Sequence, residues 1–158
     1  MRYFLDTEFC ESGPYKPIQL ISIGLVCENG DEFYRVADFD EDACNDWVKA
    51  NVLPHLEISM RSPLSAIALE LQQFVERTRG EDKPEFWGYY ADYDWVVFCQ
   101  MFGAMVDLPK GWPMYCRDIK QLCDSLGNPT LPKQESTEHN ALCDARWNKQ
   151  AYHFLSKE

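Results

Sequence analysis

Met1-Arg2-Tyr3-Phe4-Leu5-Asp6-Thr7-Glu8-Phe9 opens the chain, and its reading decides the fold. Tyr3-Phe4-Leu5 is an apolar, aromatic-rich run of the kind that forms a short buried strand. Two carboxylates follow at alternate positions. Strand side chains alternate between faces, so Asp6 and Glu8 project to the same side, roughly 6.5 Å apart along the strand. That disposition suits hard divalent cations, which take oxygen ligands at about 2.0–2.6 Å. In two-metal sites the ions lie about 3.5–4 Å apart. An Asp-x-Glu at a strand end is also an ordinary solvated feature, so the rest of the chain has to decide between the two.

Working outward, residues 11–16 with Gly13-Pro14 read as a loop, and Ile18 to Val26 as a second strand. Asn29-Gly30 is a hairpin signal, with Glu32 to Val36 as the returning strand. The pattern predicts a helix from Asp42 to Leu53, stopped by Pro54, and another opened by Ser62 as N-cap with Pro63 at the first helical position. Ile67, Leu71, Phe74 and Val75 carry helical spacing up to Gly80. Phe86-Trp87-Gly88-Tyr89 reads as a fourth strand, Tyr93 to Phe102 as a helix ended by Gly103, and Met114-Tyr115-Cys116 as a fifth strand. Ile119 to Leu126 is a helix, Asn128 to Glu138 a polar loop, and Asn140 to Leu155 the last helix. Three strands followed by alternating units predict an α/β fold: a mixed sheet, antiparallel first and then parallel, flanked by helices.

With 158 residues, 46% of them hydrophobic, the chain reads as one domain, 1–158, able to bury a real core. No apolar run approaches the ~18 residues of a membrane span, and Asp6 and Glu8 interrupt the N-terminal apolar run, so no signal peptide is expected. Seven cysteines with no Cys-x-x-Cys pair fit reduced thiols and a cytoplasmic protein. The net charge of −11 excludes a long duplex-binding track. Its distribution is uneven. Residues 1–102 hold 8 Lys/Arg against 19 Asp/Glu, whereas residues 103–158 hold 7 of each. Lys110, Arg117, Lys120, Lys133, Arg146 and Lys149 supply the positive charge of that last third, so a metal-centred pocket for a strand end stays open.

Two further acidic sites matter. Asp92 and Asp94 stand where a strand passes into a helix, where an Asp commonly caps backbone N–H groups. Asp94 shares a helical face with Val97, Phe98 and Met101 and should point inward, where a lone carboxylate is costly. On the last helix Asp144, Trp147, Ala151 and Phe154 fall on one stripe facing the core. An ionised aspartate there needs a partner, and a metal is a suitable one. His139, five residues before Asp144, is placed to act beside it.

Asp6-Thr7-Glu8, Asp94 after a mid-chain strand, and His139 with Asp144 on the last helix together resemble the DEDDh 3′→5′ exonuclease superfamily. The resemblance covers nearly the whole chain and is closest to small bacterial and phage exoribonucleases of the polyadenylate-specific type. Where many relatives carry an asparagine before the second-motif aspartate, this chain has Tyr89-Tyr90. The resemblance implies an RNase H-like mixed five-stranded sheet and two Mg²⁺ (or Mn²⁺) ions held by Asp6, Glu8, Asp94 and Asp144. It also implies His139 as general base. Phe9 and Trp112 are the candidates to stack on a terminal base, and Thr7, inside the first motif, is grouped with them as a substrate contact. The expected substrate is the 3′ end of single-stranded RNA, cut to nucleoside 5′-monophosphates. DNA or very short oligoribonucleotides are the alternatives, and a catalytically silent binding module is the rival of another class. No membrane partner is expected, and a homodimer is left open. Cys143 beside His139 does not make a cysteine hydrolase, since nothing near it would activate a thiol.

Overall fold

The computed structural model describes the chain apart from Ser12, Tyr15, Ser136 and Glu158; parts of the expected loops over 11–16 and 128–138 therefore lie outside the described residues. The chain runs β1 (Arg2–Cys10), β2 (Gln19–Cys27), β3 (Glu32–Ala37), α1 (Asp46–Asn51), β4 (Arg61–Ser62), α2 (Leu64–Arg79), β5 (Glu85–Gly88), α3 (Asp92–Gln100), β6 (Arg117–Asp118), α4 (Ile119–Ser125) and α5 (Ala141–Ser156). These strands form one mixed sheet in the order β4-β3-β2-β1-β5-β6. β1, β2 and β3 are an antiparallel meander, and β5 and β6 continue parallel to β1.

The alternation along β1 sorts the core into two layers. Tyr3 and Leu5 pack with Ile67, Leu71, Phe74, Phe86 and Phe98 beneath α2 and α3. Phe4, on the opposite face, packs with Ile119, Cys123, Ala151, Tyr152 and Leu155 of α4 and α5. Asp6 and Glu8 continue the face of Phe4, so the carboxylate pair looks toward α5, as the period-two pattern requires.

Several local expectations shift. The sheet has six strands, because Arg61 and Ser62 pair in parallel with Val36 and Ala37. Pro63 drives the residue before it into the extended region, so Ser62 joins the sheet and does not cap α2, whose N-cap is Pro63. The helix expected from Asp42 to Leu53 is broken into a 3₁₀ turn at Glu41–Ala43, α1, and a second turn at Leu53–His55. The side chains of Asp40 and Asn45 each accept a backbone N–H within that stretch and start new turns. The last strand is Arg117–Asp118, three residues beyond the expected Met114–Cys116, whose Met114 and Tyr115 are exposed. On α5 the buried residues are Ala141, Ala145, Asn148, Ala151, Tyr152 and Leu155; Ala151 is core as expected, Phe154 is exposed, and Asp144 is half-buried at the margin.

Candidate active site

β1 and β5 pair only from Arg2↔Glu85 to Phe4↔Trp87. The ladder ends there, and two main-chain groups of β1 find other partners. Leu5 C=O accepts the side-chain amide of buried Asn148 at 2.8 Å. Thr7 N–H donates to Asp94 Oδ1 at 2.7 Å, and the Thr7 hydroxyl donates to the same oxygen at 2.7 Å. Asp94 is therefore drawn from α3 into the gap where the strands part. It is 8% exposed, whereas Asp92 is exposed. Neither aspartate caps α3, whose N-cap is Ala91. Ala91 N–H is instead held by Asp118 at 2.8 Å, and Asp118 also caps α4 through Gln121 N–H.

The opposite wall is the start of α5. Gly24, paired with Asp6 across the β1–β2 ladder, lies directly under Ala141. Asn140 caps the helix by accepting from Cys143 N–H, and Asp144 in the first turn is thereby placed over the carboxylate pair. One ligand oxygen each of Asp6, Glu8 and Asp144 lie within 4.8 Å of one another. A cleft of about 490 Å³ opens over them, and Asp94, Tyr89, Gln134, Glu138, His139, Trp147 and Asn148 complete its lining.

Burial and mutual repulsion hold these acids away from full ionisation. Asp6 is raised well above the usual carboxylate range, first by burial and then by the charges of Asp94, Asp144 and Glu8. Glu8 is pushed up to about 8 by burial and by Asp144 and Asp94. Asp94 is raised by burial against the opposing pull of the two Thr7 donors. Asp144 is raised by burial, opposed by Gln134, which donates to its Oδ1 at 2.6 Å, and by His139. Among the described residues no Lys or Arg lines the cleft. Arg146 pairs with Glu32, Lys120 with Asp124, and Lys149 bonds the carbonyls of Cys27 and Glu28. Arg146, Lys120 and Lys149 are thus engaged away from the carboxylates. An all-oxygen donor set whose joint ionisation is disfavoured by burial and mutual repulsion fits hard divalent cations.

The structure brings Asp6, Thr7, Glu8, Asp94, His139 and Asp144 together, and separates the two remaining candidates. Phe9, half-buried after a bulge in the β1–β2 ladder, stacks on Tyr93 at 5.7 Å and lines a side cavity of about 200 Å³ next to Glu8 and Trp47. Trp112 is 7% exposed, packs on Phe86, Phe98 and Phe102, and donates its indole N–H to Glu76 at 3.0 Å. It is a core residue of the other layer and is not among the residues lining the cleft. Thr7 spends both its donors on Asp94, which makes it a support for a carboxylate. Sequence reasoning missed Tyr89, Gln134, Glu138 and Asn148. Asn148 carried one usable signal: a polar residue four positions beyond Asp144, on the apolar side of the helix.

A family model, the 3′-5′ exoribonuclease Rv2179c-like domain, matches residues 1–156. The chain belongs to this exoribonuclease family. The 3′-5′ exoribonuclease Rv2179c of Mycobacterium tuberculosis is 41% identical over 150 residues, covering 92% of this chain and 88% of the relative. Among solved structures, the zinc-bound E. coli exonuclease I–single-stranded DNA complex superposes with a TM-score of 0.68 at 13% identity, over 99% of this chain. The chain spans 40% of that exonuclease. A chain of the co-crystal of the yeast NOT1 MIF4G domain with CAF1 superposes with a TM-score of 0.51 at 14% identity, covering 99% of this chain and 80% of the other. The exoribonuclease family thus sits on the RNase H-like fold that the first, second and last motifs implied.

Proposed function

We propose that this exoribonuclease-family chain removes nucleoside 5′-monophosphates from the 3′ end of single-stranded RNA with two Mg²⁺ or Mn²⁺ ions, using one catalytic domain over 1–158. The observation that carries the reading is the convergence of Asp6, Glu8 and Asp144 within 4.8 Å, in a cleft that also receives Asp94 and His139. Asp6, Glu8 and Asp144 would hold one ion, and Asp6 with Asp94 the other. Bound divalent cations supply charge neutralisation at the phosphate, activation of water and support for the leaving 3′ oxygen. Four carboxylates against two divalent ions leave the loaded site near neutral.

The chain's own groups do the rest. His139, on the rim, accepts the proton of the attacking water. Gln134 fixes one oxygen of Asp144, and Thr7 fixes one oxygen of Asp94. Phe9, on its stacked Tyr93, offers a face to the terminal base. Seven free cysteines support a reducing compartment, and we place the protein in the cytoplasm. Among the described residues no helix is long and apolar enough to cross a membrane. Exposed Tyr93, Val96 and Val106 support self-association as a homodimer, which light scattering would test.

The deciding experiment compares matched single-stranded RNA and DNA with Mg²⁺ or EDTA, products being resolved by length. Mononucleotide release from RNA that stops in EDTA is expected. Faster cleavage of the DNA strand, activity in EDTA, or a ladder without mononucleotide would overturn the reading.

A further inference from the structure

His139 is anchored at its backbone but not, by hydrogen bonds, at its ring. Its φ of +63° lies in the left-handed region, which side-chain-bearing residues rarely adopt. The residue after it is tied on both sides. Asn140 accepts from Cys143 N–H at 3.1 Å and donates to His55 C=O at 3.0 Å. The imidazole itself makes no hydrogen bond to a described residue. What it does meet is the indole of Trp47, edge to face, with ring centroids 4.9 Å apart and planes at 81°.

Trp47 is 54% exposed, so it contributes little to the core. It is nevertheless well located. It is the second residue of α1, whose start is set by the Asn45 cap, and its neighbour Val48 packs with Cys10 and Ile21 of β1 and β2. The backbone that carries the indole is thus packed, through Val48, against the strand that carries Glu8. It also forms a wall of the side cavity shared with Glu8 and Phe9.

We propose that Trp47 is a positioning residue for the reaction: its indole holds the His139 ring in the orientation from which it takes a proton. This rests on His139 being the base. Edge-to-face pairs prefer one geometry, so the indole restricts an imidazole that would otherwise rotate over an open cleft.

Four variants on single-stranded RNA at saturating Mg²⁺ test it: Trp47→Ala, Trp47→Phe, His139→Ala and the Trp47→Ala/His139→Ala double. Trp47→Ala is expected to lower kcat by about three- to tenfold, with KM and Mn²⁺ affinity unchanged. Trp47→Phe, which keeps an aromatic ring, should recover most of the loss and rules out a folding artefact. In the His139→Ala background the Trp47→Ala change should cost nothing further, because residues that act as a unit are not additive. A raised KM at parental kcat would make the indole a substrate contact and overturn the proposal, as would an undiminished loss in the His139→Ala background. If His139→Ala alone turned over at the parental rate, the base assignment itself would fall and this proposal with it; a slow His139→Ala beside a parental Trp47→Ala would overturn this proposal alone.

Discussion

A Cβ placed on Gly24 would fall 2.2 Å from the carbonyl oxygen of Ala141. Nothing but hydrogen fits there, and the contact sets how closely the first turn of α5 can lie on the sheet. Gly24 pairs with Asp6, and Asp144 follows Ala141 by less than one helical turn, so the same contact sets the distance between the two carboxylates. Gly24→Ala must lift the helix start. We expect a stability loss of about 1–3 kcal/mol from overpacking, and a fall in turnover of about 10²-fold, the cost of misplacing reacting groups by ~1 Å. Urea unfolding beside single-turnover cleavage measures both, and parental values in both would disprove the argument.

Protonation of the carboxylate cluster gives the apo protein an unusual pH dependence. Glu8 titrates at about 8 when folded, against an ordinary 4.5, so within that window the folded state holds a proton the unfolded state has lost. Stability is fully present below the unfolded value and is lost as pH rises through the folded one. Apo melting temperature should therefore fall between about pH 5 and pH 8, and Glu8→Gln should flatten the slope. Saturating Mg²⁺, which binds the deprotonated form, should reverse it. A melting curve that rises over this range without metal would sink the assignment.

For His139→Ala we expect a rate loss of about 10²–10⁴-fold, with Mn²⁺ affinity close to parental, because the proposed ligands are all carboxylates. Calorimetric titration of Mn²⁺ separates this outcome from one in which the whole defect is lost metal.

Thr7→Val removes one of two donors to Asp94 while leaving the backbone N–H in place. A loss of about 10- to 100-fold in activity or metal affinity is expected, typical of removing a partner that orients a ligand. Thr7→Ser should behave as the parent. If Thr7→Val did too, the hydroxyl would have no part in holding Asp94.

Asp94→Asn should abolish turnover, whereas Asp92→Asn should leave it near parental and shift stability by no more than about 0.5 kcal/mol. The reverse pattern would move the second-motif ligand two residues upstream.

The meander, the hairpin at Asn29-Gly30 and the final helix were legible because period-two and period-3.6 patterns are local. That Asp6, Glu8, Asp94, His139 and Asp144 would meet in one cleft was legible because motif order survives folding. What the sequence could not show depended on long-range closure. Trp112 looked like a loop aromatic, yet Glu76, 36 residues away, takes its N–H and makes it core. Phe154 looked inward by counting from Asp144, but the helix is rotated so that Asn148 reaches Leu5, and Asp144 lies at the edge of the buried stripe. Gln134 sits in a polar loop with no pattern to mark it, and only the path of that loop over α5, where Trp147 donates to Pro132 C=O, brings it to Asp144.

That no described Lys or Arg lines the cleft bears also on how binding responds to the surrounding electrolyte. Nucleic-acid-binding proteins that neutralise phosphates with basic side chains draw affinity from released counterions, and lose about 10³–10⁵-fold between 50 and 200 mM salt when they make many such contacts. Here the phosphate would be met by divalent ions and the bases by aromatic faces. On the two-ion reading, engagement of a strand end at this cleft should then depend more on free Mg²⁺ than on monovalent salt.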